Sequence, residues 1–315
     1  MSNILLEELR ESLNIDSEGV SLNLEIFIRE YTEKLEREGI ILGLSGGLDS
    51  AVVALLCKRA LGTAKILALI MPDKDSKKEH LEDALQLVHE LDIPFKLINI
   101  TTYLQKLGIY QIFPLDKIPV WGRLKEMMVK EAYRFYRRKT GRIPFHDSLL
   151  GFKNKEYHHY LKSCNAYYRI KHRLRMLLLY YYAELENRLV VGAANKSEYK
   201  IGFFVKFGCD DASDIMPLIN LYKTQVRELA GYLNIPKRII IKSPSPDIIP
   251  GLGDEEILNI SYEKMDLILL AMEKSLKVKD IAEALKIEIE EVKRIRSYSQ
   301  ESEHMRRIYR PETTN

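Results

Sequence analysis

The fold is decided by one stretch of sequence, Gly39-Ile40-Ile41-Leu42-Gly43-Leu44-Ser45-Gly46-Gly47-Leu48-Asp49-Ser50. Its first six residues form a short apolar run, which is typical of a strand buried in a parallel sheet. The glycine pair allows a tight turn, and residues 49–61 predict a helix that packs on the strand. A strand, a glycine-rich loop and a helix in this order indicate an α/β protein with a ligand site at the loop.

The same alternation of strands and helices continues on both sides of this stretch. The predicted elements are an amphipathic helix over 22–38, strands over 39–44, 65–71, 95–100 and 189–191, and helices over 49–61, 77–91 and 173–186. This pattern predicts an α/β fold with a doubly wound parallel sheet and helices on both faces. Ligands of such sheets bind beyond the carboxyl ends of the strands.

The loop has the chemistry of an anion-binding site. Gly46 and Gly47 let backbone N–H groups approach an anion, and Ser45 and Ser50 add hydroxyl donors at a helix N-terminus. No Gly-Lys-Ser/Thr follows the glycines, so the loop is not a Walker A sequence. Asp49 would repel a phosphate unless it holds a Mg²⁺ ion that bridges to the phosphates. The sequence therefore predicts a site for phosphate groups and a bridging Mg²⁺ ion.

The loop resembles the pyrophosphate-binding loop of the PP-loop ATPases, which cleave ATP between its α- and β-phosphates and activate an acid as its adenylate. Further segments resemble, in order, the signatures of the ammonia-dependent NAD synthetases. These segments are 171–176, 191–198, 202–208, 214–218, 221–227, 242–245 and 254–255. The resemblance covers about residues 20–310 apart from one insertion. It implies the adenine nucleotide alpha-hydrolase-like fold, in a single domain over 1–315.

The resemblance also implies a role for each matched position. Asp49 and Glu198 would bind Mg²⁺, and Asp49 and Lys223 would be the catalytic residues, since a lysine can neutralise the departing pyrophosphate. The implied ATP-binding positions are Gly43, Leu44, Ser45, Gly46, Gly47, Leu48, Asp49, Ser50, Lys223 and Ser245. The implied positions for the acid substrate are Arg173, Lys206, Asp214 and His304.

The activity that the resemblance implies is ATP-dependent amidation of deamido-NAD with ammonia, which gives NAD, AMP and pyrophosphate through an adenylated carboxylate. The family is homodimeric, so a homodimer is expected. Its glutamine-dependent members carry an additional amidase domain, for which 315 residues leave no room. Free ammonia, or ammonia from a separate glutaminase, is the expected nitrogen source.

Four sites depart from the family pattern. Ala193 replaces a usual threonine, Arg169 a common asparagine and Met305 a common lysine, and the turn over 208–214 is longer than usual. Three of the four adjoin the acid rather than ATP. Amidation of another acid, for example nicotinate mononucleotide, therefore stays open as an alternative.

Two regions fall outside the alternating pattern. Residues 113–163 are rich in Tyr, Arg and Lys, with predicted helices broken near Gly141 and Pro144. They hold too few aliphatic residues for a core of their own, so we interpret them as a helical basic insertion. The tail over 277–315 predicts helices over 278–285 and 288–298. Because residues 121–175 are basic, a tRNA-modifying PP-loop enzyme is a further alternative function, although the downstream signatures argue against a nucleic-acid partner.

The composition is that of an ordinary globular protein. A formal charge of +3 is too small to indicate nucleic acid as a partner. No apolar run approaches the roughly 18 residues of a membrane-spanning helix, and the first ten residues mix Leu with charged residues, so a cytoplasmic location is expected. Cys57, Cys164 and Cys209 are far apart and lack Cys-x-x-Cys spacing, which argues against a disulfide framework and against a zinc or iron–sulfur site.

Overall fold

Four parallel strands form the centre of the protein. The computed structural model describes residues 2–112, 123–151, 155–244 and 251–311. The strands are β1 (Gly39–Gly43), β2 (Ile66–Ile70), β3 (Phe95–Leu97) and β4 (Arg188–Val191). Their order in the sheet is β3-β2-β1-β4. The middle of β1 is in register with both neighbours, since Ile41 pairs with Leu67 of β2 and with Val190 of β4.

Helices surround this sheet. In chain order they are α1 (Ser2–Glu11), α2 (Ser17–Lys34), α3 (Leu48–Leu61), α4 (Lys78–Leu91), α5 (Thr101–Lys106), α6 (Ile109–Ile112), α7 (Arg123–Thr140), α8 (Pro144–Asp147), α9 (His158–Leu185), α10 (Lys196–Ile201), α11 (Lys223–Tyr232), α12 (Lys237–Ile240), α13 (Asp254–Leu258), α14 (Tyr262–Glu273), α15 (Val278–Leu285) and α16 (Ile289–Glu301). Short 3₁₀ turns lie at Thr63–Lys65 and Glu303–Arg306.

Both faces of the sheet are buried against helices. Successive strand residues point to opposite faces, so Ile40 and Leu42 pack in one apolar cluster with α2, α3 and α11. Ile41 packs on the other face with Leu179 and Ala183 of α9. The predicted doubly wound parallel sheet with helices on both faces is confirmed.

Several element bounds differ from the prediction. The helix predicted over 22–38 is α2, which spans Ser17–Lys34, since Asp16 caps it at the earlier residue. The helix predicted over 288–298 is α16, which spans Ile289–Glu301. Helix α9 begins at His158 rather than at residue 173, because Leu161 and Tyr167 are buried and extend its packed face toward the N-terminus. Strand β3 ends at Leu97 rather than at residue 100. The chain beyond it still follows β2, since the Ile98 and Ile100 amides donate to the Ile70 and Pro72 carbonyls.

A third apolar cluster joins the C-terminal helices to part of the predicted insertion. Helices α1, α14, α15 and α16 pack together, and Ile143 and Leu149 are buried against them. Between α7 and α8 the helical path is broken at Gly141, which has a φ of +68°, and Pro144 begins α8. Residues 113–122 and 152–154 of the predicted insertion lie outside the described residues.

The strand order locates the ligand site. The chain winds from β1 outward through β2 to β3 and then crosses to β4 on the opposite side of β1. The reversal leaves a crevice beyond the carboxyl ends of β1 and β4. Across the described ranges, none of the helices combines the length and apolar character that a bilayer crossing requires.

Candidate active site

The loop between β1 and α3 has a backbone shape that depends on glycine. Gly46 has a φ of +76°, and a Cβ there would lie 2.2 Å from the His80 carbonyl oxygen. Ser45 Oγ accepts from the Gly47 amide at 3.2 Å, and the Ser50 hydroxyl donates to the Gly47 carbonyl at 3.0 Å. The N-cap of α3 is Gly47, and no side chain in the described ranges caps the helix. Its first N–H groups are therefore free to bind an anion.

A buried lysine connects the loop to the next two elements of the crevice. Lys223 begins α11 and is only 3% exposed. Its ammonium donates to Asp49 Oδ2, and it lies 3.1 Å from Glu198 Oε1. Asn195 caps α10 by accepting from the Glu198 amide at 3.1 Å, and its Nδ2 donates to Asp49 Oδ1 at 3.2 Å. The fold thus brings together the three residues predicted to carry the chemistry.

A third carboxylate, which was not predicted as a site residue, completes this group. The Tyr262 hydroxyl lies 3.0 Å from Glu198 Oε1 and 2.9 Å from Asp254 Oδ2. Asp254 is buried at the start of α13, and its Oδ1 has no hydrogen-bond partner among the described residues. The signal in the sequence was the matched segment 254–255, whose carboxylate at its first position could have been assigned to the metal.

The charges in this group are strongly coupled. Burial raises the pKa of Asp254 to about 7, and the nearby charge of Glu198 adds to that effect. Burial also raises the pKa of Glu198, although Lys223 partly offsets it. Burial alone would lower the pKa of Lys223, but Asp49, Glu198 and Asp254 together raise it. Three carboxylates around one ammonium leave an excess of buried negative charge, which a further cation would balance.

The residues present fit Mg²⁺. Asp49 and Glu198 contact the same ammonium, so their carboxylates are close enough to share an ion. Carboxylate oxygens are the ligands that this hard cation takes from proteins, with water and phosphate in its other positions. The unpartnered Oδ1 of Asp254 offers a further oxygen at the same place.

A cavity opens in front of this group, and further cations line it. It is lined by the loop residues Gly43, Leu44, Ser45, Gly47, Leu48, Asp49 and Ser50, by the end of β4 and by residues 242–244. The lining also includes three cations that were not predicted as site residues, namely Arg175, Arg227 and Lys242. The Lys242 ammonium donates to the Gly46 carbonyl at 3.3 Å and to Asp83. This arrangement suits a polyphosphate.

The positions predicted for the acid substrate lie apart from this cavity lining. The Arg173 guanidinium donates to the Lys206 carbonyl at 3.3 Å and 3.4 Å. The Lys206 ammonium donates to the His304 and Arg307 carbonyls at 2.8 Å and 2.5 Å. Arg173, Lys206 and His304 are therefore brought together, at the place where the C-terminal segment meets the turn after α10.

Asp214 has structural partners at the end of β4. Its Oδ2 accepts from the Val190 amide at 2.7 Å, and its Oδ1 accepts from the Tyr180 hydroxyl at 3.2 Å. Its role in binding substrate stays a prediction. Ser245 lies outside the described residues.

Comparisons with known proteins show which family this chain belongs to. The sequence profile described as NAD synthase matches residues 20–111 and 127–309. The chain belongs to the NAD synthase family. The match resumes at residue 127, so only 112–126 interrupt it.

Named relatives within the NAD synthase family agree with this assignment. The chain is 43% identical to the NH(3)-dependent NAD(+) synthetase of Thermotoga neapolitana over 274 residues, which span 87% of this chain and 90% of the relative. It is 35% identical to the protein of the same name from Hyperthermus butylicus over 306 residues, or 95% of this chain and 92% of the relative.

Two solved structures have an architecture similar to that of this chain. The NMN synthetase of Francisella tularensis superposes with a TM-score of 0.66 at 28% identity, over 96% of this chain and all of that chain. The NH3-dependent NAD synthetase of Campylobacter jejuni superposes with a TM-score of 0.64 at 27% identity, with the same coverage. The predicted family and fold are confirmed.

Proposed function

We propose that this enzyme amidates deamido-NAD with ammonia and consumes ATP. The substrate carboxylate attacks the α-phosphorus of ATP, the bond between that phosphorus and the bridging oxygen to the β-phosphate breaks, and pyrophosphate leaves. Ammonia then attacks the acyl carbon of the mixed anhydride, loses a proton, and AMP departs. The supporting observation is the buried ammonium of Lys223 held between Asp49 and Glu198 beside an uncapped helix N-terminus.

Each part of the site has a role in that reaction. The N–H groups at the start of α3 and the cations Arg175, Arg227 and Lys242 bind and orient the triphosphate. The Lys223 ammonium stabilises negative charge on the departing pyrophosphate. When bound by Asp49 and Glu198, Mg²⁺ supplies charge neutralisation to the phosphates. This reaction scheme requires no side-chain nucleophile.

A test of the metal and phosphate assignment is Asp49→Asn. Asp49 lies beside Lys223 and would bind the metal, so we expect pyrophosphate release to fall by at least about 100-fold while the circular dichroism spectrum is retained. Asp280→Asn is the matched control, because it makes the same change on an exposed first turn of α15. Near-normal pyrophosphate release by Asp49→Asn would contradict the assignment.

A second candidate is amidation of nicotinate mononucleotide. It is favoured by the likeness to a solved structure whose name is NMN synthetase, and by the departures at Arg169, Met305 and the turn over 208–214. The two candidates share the ATP half of the mechanism, so they differ only in the acid. Values of kcat/KM measured with each acid at saturating ATP and ammonia discriminate them. We expect the larger value with deamido-NAD, and a larger value with the mononucleotide would reverse the choice.

The source of nitrogen is proposed to be free ammonia or ammonia from a separate glutaminase. Two assays follow from this. Ammonium salts alone support turnover, whereas glutamine alone does not unless a glutaminase is added. Turnover of the purified chain with glutamine alone would overturn this proposal.

We infer that the functional unit is a homodimer. Leu177, Tyr181 and Leu185 are 59%, 58% and 66% exposed on α9, and their spacing of four residues places them on one face of the helix. Lys96 of the edge strand β3 reaches the same end of α9, where its ammonium lies 3.3 Å from Glu186. An exposed apolar stripe of this kind is typical of a protein interface. A second copy of this chain is the proposed occupant.

A further inference from the structure

Three side chains with metal-binding atoms meet at the wall of the cavity. His172 projects from α9, and Cys209 and Asp210 follow the segment that resembles a family signature. Cys209 Sγ lies 3.4 Å from His172 Nδ1 and 3.6 Å from Asp210 Oδ1. His172 Nδ1 lies 2.7 Å from Asp210 Oδ2. A thiol, an imidazole and a carboxylate therefore face one another at a single point.

The fold builds this cluster from segments 37 residues apart. The Cys209 amide donates to the His172 carbonyl at 3.2 Å, which ties the turn to α9. A Cβ at Gly208 would lie 2.9 Å from the His172 Cβ, so glycine permits this close approach. The sequence argued against a zinc site because the three cysteines lack Cys-x-x-Cys spacing. The structure assembles the donor set through tertiary contacts instead.

The separations of the donor atoms suit a small divalent ion. Zinc bonds of about 2.0–2.3 Å in a tetrahedron place neighbouring ligand atoms about 3.3–3.7 Å apart. The separations of Cys209 Sγ from His172 Nδ1 and from Asp210 Oδ1, 3.4 Å and 3.6 Å, already lie in that range. If Asp210 binds through Oδ2 instead, its 2.7 Å separation from His172 Nδ1 must widen by about half an ångström. A thiolate and a carboxylate also balance the two charges of the ion, which lowers the cost of burying it.

The histidine provides a second observation. The His172 side chain is only 12% exposed, and its Nε2 has no hydrogen-bond partner in the described part of the chain. If the ring carries two protons, a buried N–H of a charged ring is left unpaired, which is costly. A metal on Nδ1 leaves the Nε2–H unpaired too, but the ring is then neutral, and an unpaired donor costs less on a neutral ring than on a charged one.

We propose that His172, Cys209 and Asp210 bind one divalent ion of the zinc class, with its fourth position open to the cavity. This site is distinct from the Mg²⁺ site, because its thiol and imidazole prefer a softer ion than Mg²⁺ does. The competing state is a metal-free ion pair between His172 and Asp210. In that state burial lowers the pKa of His172, but Asp210 and Cys209 raise it to about 10 overall, so the metal must displace a proton.

The test uses the whole chain, stripped of metal and then titrated with Zn²⁺ or Co²⁺ in excess Mg²⁺. We expect one equivalent of Zn²⁺ by mass spectrometry of the metal, and a thiolate-to-cobalt charge-transfer band with Co²⁺. Cys209→Ser removes the band and weakens Zn²⁺ binding by at least about 100-fold, since even outer partners of a metal site change affinity by about 10–100-fold. Cys164→Ser is the matched control, because Cys164 is a free thiol outside the cluster.

Two further measurements keep the test decisive. Asp210→Asn keeps the thiol and tests the site independently, should Cys209→Ser fail to fold by circular dichroism. Alkylation of Cys209, followed by peptide mass spectrometry, is slowed by Zn²⁺ in the parent chain, whereas alkylation of Cys164 is unchanged. Less than half an equivalent of bound Zn²⁺, or a full equivalent that survives both Cys209→Ser and Asp210→Asn, would overturn the proposal.

Discussion

Replacing Lys223 with methionine tests the electrostatic account of the site most directly. The substitution keeps an unbranched side chain of similar length but removes the ammonium that lies between Asp49 and Glu198. Breaking a buried ion pair by removing one partner costs about 3–5 kcal/mol. Because a folded domain is stable by only about 5–15 kcal/mol, Lys223→Met should be clearly destabilised in the absence of divalent ions.

Magnesium should restore part of this loss. In Lys223→Met the carboxylates of Asp49, Glu198 and Asp254 are left without their internal cation. Mg²⁺ at about 100 times its dissociation constant should therefore raise the unfolding free energy of the variant by about 2.7 kcal/mol. In the parent protein the Lys223 ammonium already balances part of the carboxylate charge, so the same Mg²⁺ concentration should raise the unfolding free energy by less. Pyrophosphate release by the variant should remain about 10²–10³-fold below the parent, because Mg²⁺ does not replace the lysine on the departing group.

The assay is urea unfolding with and without Mg²⁺, together with pyrophosphate release. Lys293→Met is the matched control: Lys293 lies 2.7 Å from Glu290 in an exposed pair, which is worth about 0–1 kcal/mol. The reasoning is refuted if Lys223→Met without divalent ions is as stable as the control. It is also refuted if Mg²⁺ stabilises the parent and the variant equally.

Three further predictions concern the loop, a buried carboxyl group and the apolar stripe. Gly46→Ala should weaken ATP binding by at least about tenfold in calorimetry, and it should lower the unfolding free energy by more than the about 1–2 kcal/mol of a left-handed backbone. Gly141→Ala should show only that backbone cost, since Gly141 has a positive φ but no atom of the described residues lies within 4 Å of an added Cβ. Burial raises the pKa of Asp266 from 3.8 to about 6, so the folded state binds this proton more tightly than the unfolded state does. The unfolding free energy should therefore fall by up to about 3 kcal/mol as pH rises from about 4 to about 6. Asp266→Asn should flatten this pH dependence in urea titrations. Leu177→Glu with Tyr181→Glu should shift the protein to a monomer in analytical ultracentrifugation and leave its circular dichroism unchanged, whereas an unshifted dimer would place the interface elsewhere.

The sequence predicted those features that depend on local pattern. The alternation of apolar runs and helices predicted the sheet and most of its helices, because buried parallel strands and amphipathic helices differ in period. The glycine-rich loop with Asp49 was placed correctly, since a strand, a tight turn and a helix follow one another along the chain. The contact of Asp49, Glu198 and Lys223 was implied by family resemblance, and the structure brings the three side chains together.

Other features depend on tertiary packing and left no local signal. Helix α9 was predicted too short because its first half is polar and aromatic, and its buried positions become apolar contacts only in the folded chain. Lys171 is fully buried between Asp73 and Asp75, at 2.9 Å and 2.6 Å, which no spacing rule reveals. The cluster of His172 with Cys209 was missed for the same reason.

The 174 residues that separate Asp49 from Lys223 have a consequence for protein synthesis. A ribosome completes the glycine-rich loop long before it adds the lysine that the reaction needs. A chain that ends before residue 223 lacks the ammonium that lies beside Asp49 and would stabilise pyrophosphate as it leaves. Nascent or truncated copies should not waste ATP or release a reactive acyl adenylate into the cell.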